Sequence, residues 1–346
     1  MVTLSIVVPA SVAGRCDQVD AGRISIPTVL FSIILSLIMV IYETLGGMRS
    51  VAWTDVIQGV VLLLGVILIF IVIQIEYGGM VTSADIIKTN NPQFFIPPDW
   101  TEKRLWISTI GLAFFGISVY PHAIQRIYAA KDEHTLKRSL QIMVFMPLIT
   151  TMFMMIVGWV GLAQFPNLDR QGSEQITILM LQDIGYRIPA MGMMIVLFLS
   201  AAIAAIMSTV DSALLAISAM VTKDLYGRLQ PGKSQGELIR IGKIFSWLIM
   251  GLAVLLAIKL PQTIWRLMEI KLELLCQIAP AIFLGLHLKR LSSRAVLYGV
   301  IIGTIVAIII TLHPLLPTKP LGIHAGIWGL LINVLVLVFF QLRIHK

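Results

Sequence analysis

Charge is what this 346-residue sequence has least of: 13% of its residues are Asp, Glu, Lys or Arg, too few to give a soluble chain of this length a solvated surface. Cysteine is scarce as well. With Cys16 and Cys276 alone there is no disulfide framework, and Cys276 lies in an apolar run where it reads as a small buried hydrophobe. The six histidines are scattered without metal-ligand spacing, and no Ser/His/Asp set shares a plausible pocket, so nothing indicates an enzyme. Ten-residue segments of alternating polarity are missing too, which argues against a membrane barrel. What the chain has instead is apolar side chains, 58% of the total, and a mean hydropathy of +0.91.

Those side chains are gathered into continuous runs at 27–45, 52–75, 105–123, 140–164, 190–220, 240–260, 263–288, 294–315 and 324–342. Each is near the ~20 residues that a helix needs to cross ~30 Å of hydrocarbon. Helices satisfy every backbone polar group within the segment, so the expectation is an all-α, polytopic membrane protein with about nine transmembrane helices. The formal charge of +8 does not point to nucleic acid. Basic residues concentrate in alternate loops, notably 126–138, 223–243 and 289–294, which predicts a plasma-membrane protein with its N-terminus outside and its C-terminus cytoplasmic. The outer segment 76–104 carries Gly78-Gly79, Asn90-Asn91-Pro92 and Pro97-Pro98-Asp99-Trp100, and reads as a loop with an interfacial Trp. Residues 1–26 are polar after a short apolar start without a basic region ahead of it; they read as an atypical N-terminal segment, not a signal peptide.

Within the runs, a few polar residues stand out. The stretch Tyr42 to Gln58 ends one span at Gly46-Gly47 and starts the next at Trp53-Thr54-Asp55, where Thr54 and Asp55 can cap the new helix. In 190–220, Ala205, Ser208 and Thr209 share one helix face at i, i+3 and i+4. A carbonyl and two hydroxyls there can hold a hard cation, or both hydroxyls can bond back to carbonyls one turn earlier. Asp211 and Ser212 follow on the same helix; a carboxylate at that depth needs a partner or water, and the two read as gate or packing residues.

The run 105–123 contains Gly111, Gly116, Ser118, Tyr120 and Pro121, and Pro121 cannot donate to the carbonyl of Ile117. A break here predicts either a substrate contact beside a cavity or an ordinary proline kink. Arg266, Glu269, Glu273 and Gln277 fall on one face of the run 263–288, with Lys271 pointing elsewhere. That stripe either lines a solute pathway, at Glu273 and Gln277 above all, or is held by an Arg266–Glu269 pair within the helix. Gly227 to Ser234 has the letters of a phosphate-binding loop, but no strand precedes it, so nucleotide binding is not expected.

Four ordered stretches over about residues 27–305 resemble the sodium:solute symporter family. They are Tyr42-x-x-x-Gly-Gly-x-x-x-Val-x-Trp-Thr-Asp-x-x-Gln58; Tyr120-Pro-His with Gln125-Arg126 and Ala129-Ala-Lys-Asp132; Ala201-Ala-Ile203 to Ser208-Thr-Val-Asp-Ser212 with Lys223-Asp-Leu-Tyr226; and Pro280, Gly285, Lys289-Arg290, Ala295, Gly299 and Gly303. Glu43 departs from the pattern, which has a small or hydroxyl residue there, and Val119-Tyr120 stands where proline symporters carry Gly-Gln. The resemblance implies a partial inverted-repeat fold of the leucine-transporter type, with residues 27–346 as a transmembrane domain lacking the family's first helices, about four of them.

It also implies sodium as coupling ion, with no other cofactor, held by Ala205, Ser208 and Thr209, and alternating-access symport of a small polar solute past Gly116, Ser118, Tyr120 and Pro121. The partners implied are solute, sodium and the lipid bilayer. Lack of the first helices would leave the chain truncated and inactive alone, or completed by a front portion on another chain. A non-transporting membrane partner and a solute-sensing membrane domain are the alternatives.

Overall fold

The computed structural model describes residues 26–188, 191–259, 264–288, 290–313 and 317–344, so the expected atypical segment lies outside the described residues except at its end. All regular structure among them is helical. The main helices are α1 (Ile26–Glu76), α2 (Gly79–Asn90), α3 (Trp100–Ile117), α4 (Pro121–Tyr128), α5 (Glu133–Gln164), α6 (Ile176–Arg187), α7 (Gly192–Met220), α8 (Gln235–Lys259), α9 (Ile264–Leu275), α10 (Ala279–His287), α11 (Ser293–Leu312) and α12 (Ala325–Ile344). Six helices are long and apolar enough to cross a membrane, or seven if the pair α3 and α4, bent by 44°, counts as one span.

The first two predicted spans fall within α1, whose 51 residues would reach about 75 Å if straight, far more than one crossing needs. Gly47 interrupts it at φ 56° and ψ −152°, a conformation open to glycine, where the Gly46-Gly47 pair predicts a stop. The run 263–288 is divided between α9 and α10 by a 3₁₀ turn at Cys276–Ile278. The segment 76–104 is more ordered than its turn residues suggest. It contains α2, which buries Ser83 and Ile87, and a capping box in which Asp99 accepts from the Glu102 amide at 2.7 Å while Glu102 accepts from the Asp99 amide at 3.0 Å. Along α5 the side chains of Leu140, Val144, Leu148, Met152 and Met155 are exposed, as expected for a lipid-facing surface.

The chain forms two compact units. The first comprises Met1–Phe95 and Ala129–Thr263. One of its cores joins Ile69 and Ile73 of α1 to Val157 and Val160 of α5 and to Met180, Leu181 and Ile184 of α6; another joins Met39 and Val40 to Leu214 of α7 and Met250 of α8. The second comprises Ile96–Tyr128 and Ile264–Lys346. Here Leu112 of α3 meets Leu272 and Cys276, and α11 and α12 pack along a seam of small residues. A Cβ on Gly303 would lie 2.7 Å from the Gly329 carbonyl, so only glycine allows that approach.

Candidate functional site

The run Ser200 to Ala205 brings α7 close to α1. Ala201 is buried, and a Cβ on Gly65 would come within 2.7 Å of its methyl, so two small residues set the spacing. One or two turns further along, that close approach brings polar groups of the two helices together. The Ser208 hydroxyl donates to Oδ1 of Asp55, a residue 153 positions away in the chain. Thr209 donates to the Ala205 carbonyl at 3.1 Å, the back-bond that its spacing permits. Each donation uses the hydroxyl hydrogen and leaves oxygen lone pairs on Ser208 and Thr209, hard oxygen donors, with the Asp55 carboxylate at Ser208.

Asp55 is absent from the sequence-derived site. In the sequence it looks like a capping residue, and its only local signal is a carboxylate placed inside an apolar run. Thr54, which also reads as a cap, bonds back to the carbonyls of Ser50 at 3.1 Å and Val51 at 2.9 Å. Asp211 is fully buried and accepts from the Tyr42 hydroxyl, while its Oδ1 has no hydrogen-bond partner. Ser212 is buried beside it in sequence. Glu43 is buried with its Oε1 accepting from Ser246 at 3.3 Å.

In the second unit, α3 ends at Ile117 and the chain turns through Ser118 and Val119 before Pro121 starts α4. The Ser118 hydroxyl caps the Phe114 carbonyl at 2.5 Å, and the Tyr120 amide donates to Ile117 at 3.2 Å. Gly116 is packed, since a Cβ there would meet Leu272 at 2.8 Å. The Tyr120 ring carries the Lys271 ammonium 4.9 Å from its centroid and the His122 ring at 5.0 Å.

The polar stripe of α9 faces inward among its unit's own elements. Arg266 pairs with Glu269 at 3.0 Å, and Glu269 also takes Lys319 at 2.7 Å and the Trp265 indole at 2.8 Å. Glu273 accepts from Thr311 at 2.8 Å. The Gln277 side chain donates to the Gly326 carbonyl at 2.8 Å, and the Gln277 backbone carbonyl accepts from the Asn333 side chain at 2.7 Å. Glu273, Gln277 and Asn333 are each at most 1% exposed, so within this unit they contact protein, not solvent. Among the described residues no group of His, Cys, Asp and Glu has the arrangement of a metal site.

The profile of the Sodium:solute symporter family matches residues 23–303. The chain is 27% identical over 313 residues to the sodium/pantothenate symporter of Escherichia coli, covering 86% of this chain and 63% of that protein. It is 26% identical over 280 residues to the sodium/proline symporter of Salmonella typhimurium, covering 78% and 54% respectively. In fold it is similar to the solved structure of a Na+-coupled sialic acid symporter in a substrate-bound outward-open state. The TM-score is 0.71 at 20% identity, over 98% of this chain and 70% of that one. The chain thus spans less than two thirds of the length of these curated relatives. With a family match across most of its length and a helical fold shared with a sodium-coupled symporter, this chain belongs to the sodium:solute symporter family.

Proposed function

We propose that the chain is the membrane-embedded part of a sodium-coupled symporter for a small polar solute, with the ion held by the Ala205 carbonyl, the Ser208 and Thr209 hydroxyls and the Asp55 carboxylate. The observation that carries this reading is the meeting of Ser208 of α7 with Asp55 of α1, with Thr209 next to Ser208 in the chain and bonded to the Ala205 carbonyl. Two hydroxyls and a backbone carbonyl bind sodium weakly enough for release. One carboxylate compensates the ion's charge in a setting where an unpaired charge is costly. Asp211, pinned by Tyr42, and Ser212 hold α7 in register one turn below.

Solute is assigned to the break between α3 and α4, where Ser118, Tyr120 and Pro121 lie and Pro121, which has no amide hydrogen, interrupts the helical ladder, with Gly116 setting the packing behind it. Glu273 and Gln277 support the pathway by fixing α9. If sodium favours the state that binds solute, each ligand raises the affinity of the other by the same factor. The basic loops support an outside N-terminus and a cytoplasmic C-terminus.

The test is solute uptake in proteoliposomes under a sodium gradient, with amino acids, organic acids, vitamins and sugars as the panel. Uptake that needs sodium and is lost in Asp55→Asn and Ser208→Ala supports the proposal. Sodium-independent solute binding without uptake would favour a non-transporting membrane protein.

A further inference from the structure

Glu273 and His324 are each 1% or less exposed, yet one polar atom of each lacks a hydrogen-bond partner: Oε1 of Glu273 and Nδ1 of His324. These two atoms lie 3.5 Å apart. Unpartnered polar atoms are costly inside a protein, so two of them this close together need an account.

Proton bookkeeping supplies it. The Thr109 hydroxyl lies 2.8 Å from the Leu105 carbonyl and 3.0 Å from His324 Nε2. Its single hydrogen goes to the carbonyl, which can only accept, so its oxygen accepts from Nε2–H. A neutral ring with hydrogen on Nε2 then presents a lone pair from Nδ1 to a carboxylate oxygen. Lone pair against lone pair is repulsive, and one added proton removes the conflict by serving both atoms. The other carboxylate oxygen is already satisfied by Thr311 at 2.8 Å.

We propose that Glu273 and His324 together form a proton-binding site inside the second unit, whose single proton pins the start of α12 to α3 and α9. The proton comes from bulk water and no bond other than to hydrogen changes. The charged and titratable groups around the pair are accounted for. On α9, Arg266 lies 4.0 Å from Glu273 Oε1 but bonds more closely to Glu269, and Cys276 donates to the Glu273 backbone carbonyl at 3.2 Å. Lys319, from the segment before α12, is engaged by Glu269 at 2.7 Å. From α3 come the hydroxyls of Thr109 and of Ser108, which accepts from the His324 amide at 3.3 Å, and from α11 comes Thr311. Arg266 and Lys319 both make their close contacts with Glu269, at 3.0 and 2.7 Å, which leaves a proton to serve the Glu273 and His324 atoms. The inference is independent of the sodium reading.

The test is nitrogen NMR of the full chain in nanodiscs with ¹⁵N-imidazole-labelled histidine. His324→Gln identifies the His324 signal among the six histidines. In the native chain at neutral pH both His324 ring nitrogens should give the signals of hydrogen-bearing nitrogens, Nε2 through its bond to Thr109 and Nδ1 through the proton it holds with Glu273. In Glu273→Gln the Nδ1 signal should become that of a nitrogen without hydrogen. Thr311→Val, which removes the other hydrogen bond to the carboxylate while keeping its charge, should also change the Nδ1 signal, and serves if Glu273→Gln does not fold. An Nδ1 without hydrogen in the native chain, or an Nδ1 signal unchanged by both substitutions, would overturn the proposal.

Discussion

Ser208→Ala removes one oxygen from the assigned ion site and leaves the other ligands in place. A contact between a hydroxyl and a charged group contributes about 1.5–3 kcal/mol, and a loss of about 2 kcal/mol corresponds to roughly 30-fold weaker sodium binding. The effect can be read without transport, because an ion that binds only the folded chain stabilises it by RT ln(1 + [Na+]/Kd). At sodium 100 times the native Kd that stabilisation is about 2.7 kcal/mol, and after a 30-fold loss about 0.9 kcal/mol remains. The rise in apparent Tm on replacing choline chloride with sodium chloride should therefore fall to about a third in Ser208→Ala. It should vanish in Asp55→Asn, which removes the compensating charge. Ser200→Ala is the matched control, since the Ser200 hydroxyl donates to the Val196 carbonyl at 2.8 Å on the same helix and takes no part in the site. A full sodium-dependent rise retained in both Ser208→Ala and Asp55→Asn would refute the assignment.

Three further outcomes follow from the packing and the caps. Gly303→Ala places a methyl 2.6 Å from Asn333 Cβ and 2.7 Å from Gln277 Oε1, and should cost about 1–3 kcal/mol in thermal or denaturant unfolding; Gly251→Ala, with nothing within 4 Å, should cost none. At the end of α1, the Tyr77 hydroxyl donates to Asp183 at 2.7 Å, and burial together with that carboxylate pushes its phenol well above the usual range. Spectrophotometric titration should show phenol absorbance that resists ionisation until unfolding, and Tyr77→Phe should reduce that resistant fraction by one tyrosine. Asp132 caps α5, and the Thr135 amide at 2.7 Å holds its carboxyl below the ordinary aspartate value. Its contribution is present above that value and is lost as the pH falls through the lowered one, so exchange of the Thr135 amide should accelerate in acid, and Asp132→Asn should flatten that dependence.

The helices were legible because membrane spans are written in composition. An apolar run long enough to cross hydrocarbon has no other stable form, and Gly46-Gly47 and Pro121 mark their breaks by backbone chemistry that acts within a few residues. The helix α2 was not legible. It lies among turn residues and buries only Ser83 and Ile87, so its order comes from packing against α5, which no local pattern encodes. The same distinction runs through the sites. Ala205, Ser208 and Thr209 share a face by helical spacing alone, whereas Asp55 meets Ser208 only after α1 and α7 have packed at Gly65 and Ala201.

Periodicity likewise puts Glu269, Glu273 and Gln277 on one face, but it cannot say what that face meets. Its partners come from elsewhere in the chain: Thr311 from the end of α11, Lys319 from the connection, His324 from the start of α12, and Asn333 from within it. His324 is a scattered histidine in the sequence and a fully buried one in the fold, and the difference arises because Leu321 and Gly322, both at positive φ, turn the chain so that its ring lies between α3 and α9. A Cβ on Gly322 would come 2.7 Å from the Thr101 carbonyl, so that turn is possible only with glycine at this position. The polar interior of the second unit thus depends on a residue that carries no polar side chain, which is why reading the charged and histidine residues one by one leaves it unseen.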